Sequence, residues 1–117
     1  MFYSDLFDDG PEPRQGARPA VARLATLPGA NIIVFRFAPG QCLNDHTAAH
    51  PITVQCVHGE LDFTVYTSAP GSTATTTQAF RLRPGRVIHL DAYELHRVDA
   101  VDGCDDALLL LTMLTTD

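Results

Sequence analysis

A regular alternation of short apolar segments and turn signals constrains the fold of this chain more than any other feature. Beyond residue 20, glycine, proline or aspartate interrupts the sequence roughly every 8 to 12 residues, and the segments between are rich in β-branched and aromatic side chains. No segment has a convincing helical period. About eight short strands are therefore predicted, which is typical of an all-β antiparallel sandwich or barrel.

Alternation within the segments predicts which face of each strand is buried. In residues 61–67, Leu61, Phe63 and Val65 share one face of the strand, and mostly polar side chains share the other. The polar tract 68–77 that follows is predicted to be a hairpin loop. The last segment, 107–114, is apolar on both faces, so we expect it either between two layers or at a subunit interface.

The amino-acid composition argues against nucleic acid and membrane surfaces as partners. The chain has 117 residues, a formal net charge of -6 and no lysine. A groove for nucleic acid or an anionic membrane surface needs clustered basic side chains, so neither partner is expected. A domain of this length buries a core without disulfides or a structural metal, and its odd number of cysteines forms no CxxC pair.

The first 20 residues differ from the rest. Aspartate, glycine and proline dominate residues 8–20, which favours an extended arm, either flexible or in contact with a second subunit. The apolar residues ahead of this tract are expected to dock either on the chain's own barrel or on a neighbour; they are Phe2, Tyr3, Leu6 and Phe7. We therefore divide the chain into an arm, 1–20, and a single barrel domain, 21–117. The beginning of the chain does not resemble a secretory signal and no apolar run approaches ~18 residues, so a soluble cytoplasmic protein is expected.

The stretch NDHTAAHP places His46 and His50 four residues apart and raises the question of a metal site. On a helix this spacing would bring both imidazoles to one face. Pro51 and the β-branched run after it make a helix a poor prediction, so the two histidines are expected to flank the entry to a strand.

Two longer segments resemble the two sequence motifs of the cupin superfamily. In PGQCLNDHTAAHPITVQCVHGELDF, Gly40 is followed after five residues by His46, and Gly59 closes the motif. In RLRPGRVIHLDAYELH, Gly85 opens the second motif and His96 occupies its histidine position. The resemblance covers roughly residues 30 to 112 and implies an antiparallel double-stranded β-helix, the jelly-roll barrel of RmlC-like cupins.

The chain also departs from the pattern of a metal-binding cupin. Ala48 stands at the usual second histidine, and Ile52 at the usual glutamate. In the second motif Asp91 and Tyr93 replace a proline and a glycine, and Ala100 replaces an asparagine. Half of the usual ligand set is therefore missing.

The resemblance implies that His46 and His96 are metal ligands, with His50 as the candidate third. Catalytic zinc and iron(II) sites normally take three protein ligands, so the third donor decides whether iron, manganese, nickel or zinc is bound. His50 is either this ligand or a histidine on an exposed loop.

The predicted pocket is mainly apolar. Five residues are expected to line it: Ile52, Val54, Cys56, His89 and Asp91. His89 either faces the cavity or packs between the sheets, and Asp91 is either a ligand or base, or a turn residue. No catalytic residue is assigned.

Two functions remain open at this point. The first is a small single-domain cupin that binds a small organic molecule in the barrel, with a divalent metal as an optional partner. The second is a metal-dependent cupin enzyme, of dioxygenase, isomerase or lyase type, acting on a small organic acid. A homodimer is predicted for either, because a small barrel has free sheet edges and the last strand is apolar on both faces.

Overall fold

The computed structural model describes residues 1–68, 71 and 73–115, and in this part of the chain nine strands form two antiparallel sheets. The five-stranded sheet has the order β1-β2-β9-β4-β7, and the four-stranded sheet has the order β3-β8-β5-β6. The strands are β1 Ala20–Leu27, β2 Ala30–Phe37, β3 Cys42–His46, β4 Ile52–His58, β5 Leu61–Ser68, β6 Thr75–Leu82, β7 Val87–Leu90, β8 Leu95–Ala100 and β9 Ala107–Leu114. This architecture confirms the predicted all-β double-sheet fold.

The core lies between the two sheets. Strands β4 and β5 alternate buried and partly exposed residues along their whole central part, as the sequence predicts. Ser68 of β5 pairs with Thr75 of β6, so the predicted hairpin does connect antiparallel neighbours, but its predicted loop was too long because residues 75–77 belong to β6. Residues 69, 70 and 72 of that tract lie outside the described residues, as do residues 116 and 117 of the barrel domain.

Strand β9 runs through the middle of the five-stranded sheet, between β2 and β4. Leu109 and Leu111 face the core, whereas Leu108, which points to the opposite face, is also only 1% exposed. Val34 on β2 is likewise fully buried without belonging to the core cluster. Other parts of the chain therefore cover these apolar side chains on the outer face of the five-stranded sheet.

The N-terminal arm contributes to that cover. It contains one short helix, α1 Leu6–Asp9, which the sequence patterns did not predict and which Asp5 caps by accepting hydrogen bonds from two backbone amides. The ring of Phe7 packs edge-on against His58, with centroids 5.5 Å apart. Gly10 approaches Val34 closely, since a Cβ on Gly10 would lie 3.6 Å from the Val34 side chain. The arm thus packs on its own barrel.

Gln41 forms hydrogen bonds with the part of the arm that follows α1. Its side chain is buried, and its amide nitrogen donates to the carbonyl oxygens of Arg14, at 2.6 Å, and Gly16, at 3.1 Å. Its amide oxygen accepts a hydrogen bond from the backbone of Ala38 at 2.8 Å. Because every polar atom of this buried side chain is engaged with backbone, the arm is held at one position.

The homodimer stays a prediction, and of its two grounds only the free sheet edges remain. Strand β9 is buried on both faces within a single chain, so it does not itself require a second subunit. Strand β6 is an edge strand whose residues are exposed along its length except for Leu82. An exposed edge offers unpaired backbone groups to another chain. Among the described residues no helix is long and apolar enough to cross a membrane.

Gly59→Ala should destabilise the protein more than Gly85→Ala. Both glycines have positive φ, 71° and 98°, so each alanine meets the left-handed penalty of about 1–2 kcal/mol. At Gly59 a Cβ would in addition run into the carbonyl oxygen of Asp106 and lie 3.0 Å from the Cα of Ala107, whereas Gly85 faces open space. Urea unfolding of both variants measures the difference, and equal losses of stability would contradict the close approach.

Gln41→Ala should release the arm. The substitution leaves the Ala38 amide and two carbonyl groups without their partner, which costs about 1–3 kcal/mol. Trypsin should then cut faster after Arg14, which is followed by Gln15, than in the unmodified protein. Gln78→Ala, at an exposed position on β6, is the matched control. Unchanged cleavage in Gln41→Ala would show that other contacts hold the arm.

Candidate functional site

The two histidines at the motif positions meet across a strand pair. His46 ends β3 and His96 lies near the start of β8, and the two are direct partners in the antiparallel register. Their ring centroids are 4.2 Å apart, with an interplanar angle of 59°. Facing partners project their side chains to the same side of a sheet, which is why two residues so distant in sequence come together.

Each imidazole is oriented by a backbone carbonyl two residues earlier. Nδ1 of His46 lies 2.6 Å from the Asn44 oxygen, and Nδ1 of His96 lies 2.9 Å from the Glu94 oxygen. A carbonyl can only accept, so Nδ1 carries the proton in both neutral rings and Nε2 keeps its lone pair. No hydrogen bond to either Nε2 is formed within the described residues. The site therefore presents two basic nitrogens with a defined tautomer.

His96 is the more enclosed of the two. It is 2% exposed, and its ring stacks on Phe63 with centroids 5.4 Å apart and planes 9° from parallel. Burial lowers the pKa of His96 below its ordinary value of 6.5, and the neighbouring His46 lowers it further, while the Glu94 carbonyl acts in the opposite direction. The ring is accordingly neutral at pH 7 and available as a ligand or hydrogen-bond acceptor.

Backbone contacts tie the loops of the two motifs together. The amide of Tyr93 donates to the carbonyl of Ala48 at 2.7 Å, which links the segment before β8 to the loop after His46. Tyr93 has φ 66°, a left-handed conformation that favours glycine. Tyr93 stands where the motif resemblance expects a glycine, so this chain keeps the glycine-like backbone with a larger residue.

His50, the third predicted metal ligand, lies in the loop between β3 and β4 and is partly buried. Across residues 1–68, 71 and 73–115, no group of three or more His, Cys, Asp or Glu side chains is placed to hold a metal ion. The structure therefore brings His46 and His96 together and does not group His50 with both of them.

The predicted pocket residues divide into two sets. Ile52, Val54 and Cys56 are each 1% exposed and belong to the packed core, where burial raises the pKa of the Cys56 thiol to about 11. The placement of His89 and Asp91 in the pocket is corrected, because their side chains are 51% and 86% exposed. Asp91 agrees with the alternative of a turn residue, since its carbonyl accepts from the backbone of Glu94. His89 shares the outer face of the sheet with Thr53, which it contacts at 3.2 Å.

The reason for this correction is the phase of β7. The inward residues of this strand are Ile88 and Leu90, and Val87 points outward with His89. The inward set is wholly apolar and the outward set includes a histidine, so the alternation favours the phase that the structure has. The contacts of the Asn44 and Glu94 carbonyls with the histidine rings were also not predicted. The sequence feature that could have indicated them is the equal spacing, since each carbonyl lies two residues before its histidine.

A cavity of about 240 Å³ adjoins His46 at the edge strand β3. His46 forms part of its wall. The other lining residues are Arg18, Cys42, Leu43, Asn44 and Asp45.

No protein-family model and no curated protein matches this chain. Solved structures do share its architecture. A cupin superfamily protein from Desulfitobacterium hafniense aligns with a TM-score of 0.67 at 17% identity, over 91% of this chain and 84% of its own. An RmlC-like cupin from Methanocaldococcus jannaschii, with a double-stranded β-helix fold, gives 0.67 at 10% identity, over 89% and 86%. An oxalate oxidase gives 0.75 at 16% identity, over 97% of this chain and 59% of its own.

The lowered pKa of His96 predicts a pH dependence of stability in chelator-treated protein. Because the unfolded chain takes up this proton at about its ordinary pKa of 6.5 and the folded chain only at lower pH, the stability should be complete above pH 6.5 and fall below it. His96→Gln should reduce that fall, whereas His89→Gln, at the exposed outer position, should keep it. Parallel slopes in urea unfolding of all three proteins between pH 7 and pH 5 would contradict the assignment.

Proposed function

The chain has the cupin fold, and from that premise we propose that it binds a small organic molecule next to its paired histidines, His46 and His96. The single observation that carries the proposal is the fixed tautomer of both rings, with each Nδ1 bound to backbone and each Nε2 free. Side chains oriented in this way suit specific recognition, since their hydrogen-bonding roles are set before the ligand arrives.

A divalent metal is an optional part of this site. Metal-bound histidines almost always donate their other ring nitrogen to a carbonyl, a carboxylate or water, as both rings do here. The donor chemistry therefore fits a metal such as iron, manganese, nickel or zinc, held by His46 and His96. When bound, the metal would polarise an oxygen of the ligand.

Two imidazoles supply fewer donors than the three protein ligands of a usual catalytic site. We propose that the third donor comes either from His50, through the loop that follows β3, or from the bound molecule itself. The second route makes metal and ligand binding cooperative, because a ligand with its own oxygen donors completes the coordination.

A metal-dependent enzyme acting on a small organic acid is the second candidate. The oxalate oxidase that shares this fold is an enzyme, and the oriented histidines are compatible with such a site. Among the described residues no three metal-ligating side chains are grouped, which favours a binding protein over a metal-dependent enzyme.

Thermal unfolding of metal-free protein, with and without added iron(II), manganese, nickel or zinc and a panel of small organic acids, tests the proposal. At least one acid should raise the melting temperature, since a ligand that binds only the folded state stabilises it. His46→Ala and His96→Ala should abolish this shift while circular dichroism still reports the folded barrel. His89→Ala, on the outer face, is the control and should behave as the unmodified protein.

His50→Ala separates the two sources of a third donor. If His50 is a ligand, elemental analysis should find metal in the unmodified protein and none in this variant. If the bound molecule is the donor, metal should be retained only in the presence of the acid in both proteins. A full thermal shift in His46→Ala and His96→Ala would refute the histidine pair as the binding site.

A further inference from the structure

The cavity beside His46 is lined by the N-terminal arm as well as by β3, and the arm contributes an arginine. We infer that Arg18 binds the carboxylate of the small molecule, so that the ligand is a small organic carboxylate lying between Arg18 and His46. This inference deepens the proposed function and rests on the same site.

The guanidinium of Arg18 is free for an incoming anion. Arg18 is exposed and forms no ion pair or side-chain hydrogen bond within the part of the chain that the structure describes. Several other arginines have carboxylate partners, for example Arg36 with Asp106 at 2.9 Å and Arg81 with Asp62 at 2.7 Å. A planar guanidinium without a partner is well suited to bidentate binding of a carboxylate.

The acidic residue in the cavity wall does not replace such a ligand. Asp45 lies 3.9 Å from the guanidinium of Arg97 on β8, which pairs more closely with Asp99 at 2.7 Å. Asp45 also interacts with the hydroxyl of Tyr66, whose pKa is raised by burial and then by this aspartate. The carboxylate of Asp45 therefore interacts with side chains of β5 and β8. A phosphate dianion would ordinarily need more than one cationic side chain, so a carboxylate is the better match for this wall.

The backbone on the N-terminal side of Arg18 is held against β3. The amide of Cys42 donates to the carbonyl of Ala17 at 3.0 Å, and the buried side chain of Gln41 holds Gly16. After Arg18, the chain enters β1 through two buried residues, Pro19 and Ala20. Arg18 is thus presented from a fixed backbone, which lowers the conformational cost of binding an anion.

The other residues that line the cavity indicate which chemical groups the rest of the ligand carries. Leu43 offers an apolar contact, and Asn44 offers an amide. Nδ1 of His46 is engaged with the Asn44 carbonyl, so Nε2 is the ring nitrogen left to contact a ligand or a metal. A small carboxylate with a short apolar body matches these groups and the volume of about 240 Å³.

Two-dimensional NMR titration of metal-free protein with benzoate, and with its neutral counterpart benzamide, tests the inference. Benzoate should shift the amide signals of Arg18, Cys42 and Asn44, and benzamide should bind at least tenfold more weakly. Arg18→Gln should weaken benzoate binding by roughly tenfold or more, as expected for the loss of a charge-assisted contact. Arg23→Gln on β1 removes an exposed arginine outside the cavity and should leave the affinity unchanged.

Equal affinity of benzoate for Arg18→Gln and the unmodified protein would overturn the inference, as would equal binding of benzamide or a lack of shifts at the cavity amides. Inorganic phosphate, titrated in parallel, should bind more weakly than benzoate, and tighter binding would reassign the site to phosphate. Failure of the proposed function has a different signature. In that case Arg18→Gln would lose benzoate while His46→Ala and His96→Ala retained it.

Discussion

Strand β9 is apolar on both of its faces, and the rest of the structure follows from the need to cover them. The four-stranded sheet covers Leu109 and Leu111 from inside the barrel. On the other face Leu108 and Val34 are equally buried, and the N-terminal arm lies against this side through Phe7 and Gly10. Burial of each such side chain contributes about 1.5–3 kcal/mol, so a bare outer face would be costly for a small domain.

The same arm connects this cover to the candidate site. Beyond the outer face, the arm passes Gln41, whose buried side-chain amide donates to two carbonyl groups of the arm. The arm then places Arg18 beside β3. His46 lies at the far end of that strand, paired with His96. A segment whose composition resembles a linker therefore contributes both to the hydrophobic cover and to the wall of the candidate site.

Most of the fold was predictable from the sequence, because it depends on local patterns. Turn residues mark the strand ends, alternation marks the buried face of β5, and the motif spacings single out His46 and His96 as a candidate pair. Strand β3 was missed because Asn44 and Asp45 give it neither alternation nor β-branched residues. Its strand character comes from pairing with β8, which is a long-range contact.

The finer features of the site were not predictable, since they depend on tertiary contacts. His89 was assigned to the cavity although the other phase of β7, Ile88 and Leu90, is the more apolar, and its position on the outer face became clear only from the pairing of β7 with β4. Arg18 carries no motif at all, and only the hydrogen bonds of Gln41 and Cys42 show where it lies. The tautomers of the two histidines likewise follow from backbone carbonyls whose positions are known only once β3 and β8 have paired.

The arm has a consequence for the order of folding. Its docking surface combines Val34 and Arg36 of β2 with His58 of β4, and Arg36 is itself held by Asp106, 70 residues further along the chain. That surface exists only after β2, β9 and β4 have paired, and such distant pairings are slow because loop closure comes first. The arm, which precedes the barrel in the sequence, is consequently among the last parts to become ordered, and Arg18 reaches the cavity only when the barrel is complete.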